Sequence, residues 1–170
     1  MKVLVLNTGS SSVKYQLFAM PEELVICSGM IERIGQQDCR IKHKTLEINF
    51  EKRITIPNHN KALQYVVDVL LDKENAVISS IEEIEAVGHR VVHGGHMYSS
   101  TVEIGPKVKS TIKELYNLAP LHNPSNLAGI EVAETIFQQA KQAAVFDTAF
   151  HQTIPISAHK YAIPNHFYED

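Results

Sequence analysis

Three side chains able to handle charge lie where the predicted secondary structure changes. Arg90 lies within the apolar segment AVGHRVV (86–92), and His122 comes just before the helix start Asn123-Pro124. Asp147 lies at the end of a buried-strand run. Proteins of the α/β class place binding sites at such strand ends and helix starts. A guanidinium can bind an anion, and a histidine at a helix N-terminus can donate to phosphate or to a developing charge. A carboxylate can hold Mg²⁺ or its waters.

Each of these residues also has a plain structural interpretation. Arg90, predicted to be buried, needs an anionic partner and could form a structural ion pair. His122 could be satisfied by the backbone of its turn, and Asp147 could cap the helix or turn that follows. The other histidines of these stretches, His89, His93, His96 and His151, are interpreted as structural rather than metal-binding. Alternate strand positions point to opposite faces, and a Gly-Gly turn interrupts the spacing that a metal site would need.

The stretch NTGSSSVK (7–14) combines Gly9, Ser10, Ser11, Ser12 and Lys14 between two apolar runs. A glycine lets the backbone approach a ligand, the serines add hydroxyl donors, and successive backbone N–H groups can form a concavity for an anion. The stretch is not a Walker A loop, because no second glycine precedes the lysine and a strand follows instead of a helix. An ordinary polar hairpin turn fits this stretch equally well.

The elements that must position these residues follow from hydrophobic periodicity. An antiparallel meander is predicted from strands over residues 2–7, 13–20, 24–34, 46–50 and 53–56. Helices are predicted over 60–72, 107–117 and 123–140, and further strands over 86–92 and 143–150. This order predicts one α/β domain in which helices flank a mixed β-sheet.

The tail over residues 158–170 closes no predicted element. It carries Tyr161, Phe167 and Tyr168 with no following strand or helix to cover them. This pattern is typical of a chain that stops before its fold is complete.

Composition narrows the classes of function. The chain has 170 residues and a net charge of −3, which argues against a nucleic-acid surface. It contains neither a signal-peptide pattern nor an apolar run near the roughly 20 residues that span a membrane. Cys27 and Cys39 form no CxxC motif, so both are expected to be reduced in a cytoplasmic protein.

Four motifs taken together resemble one family. NTGSSSVKYQLF, VGHRVVHGG, LAPLHNPSN and FDTAFHQTIP, in this order and spacing, are similar to the acetate kinases. These belong to the acetate/propionate kinase family of the sugar kinase/Hsp70/actin superfamily. The resemblance covers Met1 to about Tyr168. It implies that residues 1–170 form a ribonuclease H-like, actin-like ATPase N-terminal domain. It further implies transfer of the γ-phosphoryl group of ATP to acetate with Mg²⁺, giving acetyl phosphate and ADP.

The resemblance also implies roles for single residues. Arg90 matches an arginine that neutralises the acetate carboxylate and the moving phosphoryl group, and His122 matches a histidine that donates to the transition state. Asp147 matches the aspartate near the metal, and Asn7 matches a residue that orients a metal-bound water. The remaining matches are the phosphate-side turn residues Ser10, Ser12 and Lys14, and the acetate-methyl pocket residues Val92 and Leu121.

The chain departs from the family pattern at its end. Family members continue into a second domain that holds the adenosine site, a second active-site histidine and arginine, and the glutamate that binds Mg²⁺. They form homodimers mainly through that domain. The resemblance therefore implies one wall of an active cleft, inactive by itself and lacking a C-terminal domain as partner.

Three alternatives to an acetate kinase follow from the same residues. A propionate kinase and a non-catalytic binding or regulatory fragment both stay open. A hydrolase using Ser10, His122 and Asp147 is disfavoured, because the sequence has no G-x-S-x-G elbow between a strand and a helix.

Overall fold

The computed structural model describes residues 1–73 and 77–168, which contain eight strands and four α-helices. The strands are β1 (Lys2–Gly9), β2 (Ser12–Ala19), β3 (Leu24–Glu32), β4 (Arg40–Lys44), β5 (Asn49–Arg53), β6 (Ile84–Val91), β7 (Val102–Glu103) and β8 (Lys141–Phe146). The helices are α1 (His59–Leu71), α2 (Pro106–Glu114), α3 (Asn123–Ile136) and the single turn α4 (Ile156–His159).

All eight strands form one mixed sheet in the order β5-β4-β3-β2-β1-β6-β8-β7. Strands β1 to β5 are antiparallel neighbours, as the predicted meander requires. Strands β6 and β8 run parallel to β1 and are reached by helical crossovers, while the short β7 pairs antiparallel with β8 at the edge. The prediction of an α/β domain with a mixed sheet and flanking helices is confirmed.

The main core lies between the sheet and helices α1 and α3. Helix α1 begins after Asn58, whose side-chain oxygen accepts a hydrogen bond from the Lys61 amide at 3.0 Å. Its apolar residues recur at helical spacing, so one side of the helix is buried against the sheet. The buried residues of this side are Ala62, Leu63, Val66, Val67, Val69 and Leu70.

A second, smaller core lies under helices α2 and α3 at the ends of β6 and β8. It consists of Val91, Val108, Ile112, Leu127, Ile130, Ala144 and Phe146. Since both cores use the same face of the sheet, the other face of the central strands carries exposed side chains. We call it the open face; Val5, Arg90 and Val145 lie on it.

The predicted strands at 46–50 and 53–56 are wrong in their bounds. The chain instead forms a β4–β5 hairpin whose turn is closed by Thr45, since its hydroxyl oxygen accepts hydrogen bonds from the Glu47 and Ile48 amides. Leu46, which suggested a strand, is 89% exposed in this turn. Apolar periodicity does not reveal strand β4, because its buried positions are Ile41 and His43, and histidine is a polar residue type.

Other element ends also differ from prediction. Helix α3 ends at Ile136 and β8 at Phe146, and a 3₁₀-helix, Asp147–Thr153, replaces the predicted end of that strand. Helix α2 ends at Glu114 and passes into a short 3₁₀-helix.

The expectation that the tail is uncovered is confirmed within residues 158–168, all of which are exposed. Residues 169 and 170 lie outside the described part. None of the described helices is long and apolar enough to cross a membrane.

Candidate active site

The polar stretch at 7–14 forms the β1–β2 hairpin. Gly9 pairs with Ser12, which leaves Ser10 and Ser11 as an exposed two-residue turn. Two bonds anchor this turn: the His59 ring nitrogen donates to the Gly9 carbonyl at 2.7 Å, and the Ile34 amide donates to the Ser11 carbonyl at 3.0 Å. Asn7 and Lys14 are cross-strand partners, so their side chains share the open face.

Arg90 and Asp147 form a two-pronged ion pair at the ends of β6 and β8. Arg90 Nε donates to Asp147 Oδ1 at 2.9 Å, and Arg90 Nη2 donates to Oδ2 at 2.7 Å. This hydrogen-bonded carboxylate raises the pKa of the Arg90 guanidinium. Arg90 is opposite Val145 in the parallel register, and Asp147 lies two residues further along the same face.

The prediction that Arg90 is buried is wrong, since half of its side chain is exposed. Its neighbours His89 and Val91 point into the core, and strand alternation therefore turns Arg90 to the open face. The anionic partner that the sequence called for exists, and it is Asp147.

A cavity of about 610 Å³ lies on the open face next to these residues. Asn7, Lys14 and Arg90 line it, together with residues of β2, β3 and β4. Every charged residue that lines it is a cation: Lys14, Lys42, Lys44 and Arg90. Its chemistry therefore favours an anionic ligand.

Two buried asparagines hold the strand ends in place. Asn126 accepts a hydrogen bond from the Val92 amide at 3.1 Å and donates to the Thr8 carbonyl at 2.7 Å, so it joins β6 to β1. Asn123 accepts from the His93 amide at 3.1 Å and donates to the His93 carbonyl at 3.0 Å. Buried amides that satisfy backbone groups in this way fix a loop firmly.

These asparagine roles were missed by sequence reasoning. The helix start Asn123-Pro124 predicts that the Asn123 side chain caps the helix, but Asn123 is the first residue of α3 and bonds back to the turn after β6. His122 occupies the cap position and makes no side-chain capping bond. The available signal was the pair of asparagines three residues apart in NPSN, because that spacing places both on one face of a helix.

The turn after β6 packs directly on the end of β8. A Cβ atom on Gly94 would lie 2.7 Å from the ring of Phe146, so only glycine fits there. The Gly94 amide donates to the Thr148 hydroxyl at 3.0 Å, and Tyr98 stacks on the Phe146 ring with ring centroids 4.8 Å apart. The residues on either side of Asp147 in the chain, Phe146 and Thr148, are thereby held in place.

The remaining predicted site residues lie elsewhere. Leu121 and His122 are exposed in the loop before α3, and neither lines the cavity. Val92 is half-buried, with its amide bound to Asn126. Ser10 and Ser12 stay at the hairpin turn. Of the predicted site residues, Asn7, Lys14 and Arg90 thus line the cavity, and Asp147 lies beside it as the ion-pair partner of Arg90. The other predicted residues do not line it.

The histidines near Arg90 have structural partners. His89 is buried and shares a 2.8 Å hydrogen bond with Gln142 Oε1, and its burial lowers its pKa. His93 Nδ1 accepts from the Gly95 amide at 3.0 Å. Within the described residues, no group of three or more histidine, cysteine or acidic side chains is arranged to hold a metal ion.

Comparison with known proteins identifies the family of the chain. The model of the acetokinase family matches residues 2–170 of the chain. The chain belongs to the acetokinase family. It is 61% identical to an acetate kinase of Flavobacterium johnsoniae over 165 residues, a match that covers 97% of the chain and 42% of that relative.

Solved structures agree with the sequence match. The acetate kinase of Porphyromonas gingivalis superposes with a TM-score of 0.93 at 43% identity, covering 99% of the chain and 42% of that structure. A propionate kinase from Francisella tularensis gives a TM-score of 0.87 at 37% identity, covering 99% of the chain and 43% of that structure. The expected actin-like ATPase fold is confirmed. The chain spans about two fifths of the length of these relatives.

Proposed function

We propose that the chain is the N-terminal part of an acetate kinase, which transfers the γ-phosphoryl group of ATP to acetate and forms acetyl phosphate and ADP. The observation that carries this proposal is the guanidinium of Arg90, held at the edge of a cavity whose charged lining is entirely cationic. The family match supports the same reaction.

Phosphoryl transfer depends on positioning and on neutralising charge, and these residues suit both tasks. Arg90 binds the carboxylate of the acid and the oxygens of the moving phosphoryl group, because its planar fork matches both anions. Lys14 adds a positive charge on the same face for the phosphates. The amides of Ser10 and Ser11 make no hydrogen bond to the described protein, and they are free to donate to phosphate at the hairpin turn.

His122, Leu121, Val92 and Ser12 enter the proposal through the family resemblance. His122 donates to the transition state, and Val92 and Leu121 form part of an apolar pocket for the methyl group. Since Leu121 is 75% exposed in this chain, that pocket needs further walls from the proposed second domain.

The donor set fits a magnesium ion held largely through water and substrate phosphates. Mg²⁺ commonly uses one or two carboxylates and keeps several waters. Asp147 offers one carboxylate and Asn7 one amide oxygen to the waters of such an ion, and both residues lie on the open face. When bound, the ion neutralises charge on the phosphates. Asn7 and Asp147 would orient its waters.

The finer points of the proposal concern partners, location and acid preference. The enzyme is proposed to be cytoplasmic, to work with a C-terminal domain that carries the adenosine site, and to be a homodimer when complete. A propionate kinase is the second candidate, favoured by the match to the Francisella tularensis structure. One methylene changes selectivity by only about 1–3 kcal/mol, so the two acids would be separated by modest rate differences.

The test mixes this chain with the remaining part of the Flavobacterium johnsoniae relative, and also fuses the two covalently. The chain alone is expected to release no ADP in response to acetate, whereas the mixture or the fusion does. Arg90→Lys should lower the fused enzyme's turnover by roughly a hundredfold or more, because lysine keeps the charge and loses the fork.

Arg53→Lys is the matched control, since Arg53 is an exposed arginine at the end of β5. It should leave turnover unchanged. Full activity of the Arg90→Lys fusion would refute the assignment of Arg90, and a preference for propionate over acetate would decide for the second candidate.

A further inference from the structure

The way in which Arg90 and Asp147 meet determines what is left of the guanidinium for a ligand. Arginine has five N–H donors, and Asp147 occupies only the side of the group formed by Nε and one hydrogen of Nη2. Within residues 1–73 and 77–168, the Arg90 side chain forms no other hydrogen bond. The end of the guanidinium, with one parallel N–H on each Nη atom, is therefore free to grip a second anion.

We propose that Asp147 is a positioning residue, which holds the Nε side of Arg90 so that its free end is presented to the anionic substrate. The inference rests on the proposed function, since it assumes that Arg90 binds the acid or the phosphoryl group. In this role Asp147 contacts Arg90 directly, and it contacts a metal ion only through water.

The surroundings of Asp147 make it the fixed member of the pair. Its chain neighbour Phe146 is buried and packs against Gly94 and Tyr98. The hydroxyl of its other neighbour, Thr148, accepts a hydrogen bond from the Gly94 amide. Arg90, by contrast, has a long side chain that is half exposed. An unsupported arginine side chain loses rotamer freedom when it binds a ligand. Because Asp147 already holds the Arg90 side chain in place, less of that freedom is lost on binding.

Direct metal ligation by Asp147 would compete with this arrangement. Both carboxylate oxygens already accept hydrogen bonds from a cationic group, and a divalent cation brought against them would repel that group. The two roles therefore predict opposite behaviour of the Arg90–Asp147 pair when Mg²⁺ is added.

The experiment follows the side-chain Nε–H signal of Arg90 by NMR in the 170-residue chain, with inorganic phosphate and Mg²⁺ as probes. The signal is expected to stay in place at saturating phosphate and on addition of Mg²⁺ alone. In Asp147→Asn it should move toward that of a free arginine. Phosphate affinity should fall by roughly three- to tenfold in that variant, although a negative charge has been removed.

Asp38→Asn is the matched control, because Asp38 forms an exposed ion pair with Arg33 elsewhere on the chain. It should change neither the Arg90 signal nor phosphate affinity. Equal or tighter phosphate binding in Asp147→Asn would overturn the inference, since Asp147 would then be a competitor of the ligand. Loss of the native Arg90 Nε–H signal on adding Mg²⁺ would overturn it as well. If Arg90→Lys leaves phosphate binding unchanged, the proposed function fails, and the positioning role fails with it.

Discussion

The strand ends around Arg90 and the segment from residue 150 to residue 168 use their side chains in opposite ways. At the strand ends, asparagine amides satisfy backbone groups and apolar side chains pack in the second core. In the segment 150–168, every residue is exposed, including Phe150, Ile156 and Tyr161. Within the described residues, one side-chain hydrogen bond ties this segment to the body, from Gln152 to the Gly95 carbonyl at 2.9 Å.

The difference between the two regions lies in what supports the side chains. A site that must hold a charged group in place needs satisfied polar groups and packed rings behind it, and the strand ends have both. An exposed apolar segment on a folded body is typical of a surface that meets another protein element.

The sharpest test of the contrast replaces one isoleucine in each region. Ile130 is fully buried in the second core, so Ile130→Ala should lower the free energy of unfolding by about 2–5 kcal/mol. Ile156 is 67% exposed, and Ile156→Ala should stay within about 0.5 kcal/mol of the native chain. Urea unfolding measures both. Similar losses from the two substitutions would mean that the segment is packed in solution.

The second test makes the same comparison with polar side chains. Asn126→Ala leaves the Thr8 carbonyl and the Val92 amide without their partner, and each such buried group costs roughly 1–3 kcal/mol. A loss of roughly 2–4 kcal/mol is expected. Asn165→Ala, in the exposed segment, is the control and should have no measurable effect on unfolding. A stable Asn126→Ala chain would show that water replaces the amide.

The smallest effect concerns pH and the histidine beside Arg90. Burial lowers the pKa of His89, despite its bond to Gln142 and the nearby carboxylate of Glu134. At pH values below the ordinary histidine pKa of about 6.5, the unfolded chain therefore binds a proton at His89 that the folded chain does not bind. The free energy of unfolding should fall as pH drops below that value, with a slope of at most about 1.4 kcal/mol per pH unit from this residue.

His89→Gln should remove this part of the slope. Unfolding curves at pH 7.5 and 5.5 give the comparison. The native chain and the variant share a second such contribution from His43, whose pKa is also lowered by burial. An unchanged slope in the variant would mean that His89 is protonated in the folded chain.

Much of the fold could be predicted because periodicity reports burial. The first three strands of the meander, α1 and the strands β6 and β8 were predicted from their apolar residues alone. The β4–β5 hairpin was misplaced, since its inward positions include His43, and its turn contains the apolar Leu46. A pattern search cannot tell a buried histidine that bonds Tyr15 from an exposed one.

The sequence by itself determined the family, through four motifs whose order and spacing are specific, and it singled out Arg90 and Asp147 as chemical groups. Only the tertiary structure decided that these two residues are partners on the open face. It also decided that Asn123 and Asn126 hold the strand ends by hydrogen bonds to the backbone. Leu121 and His122 lie outside the cavity, which no local pattern indicates. The Arg90–Asp147 pair depends on the fold because residues 57 positions apart meet through the parallel pairing of β6 and β8. That register depends on packing across the whole sheet and leaves no mark in the local spacing of residues.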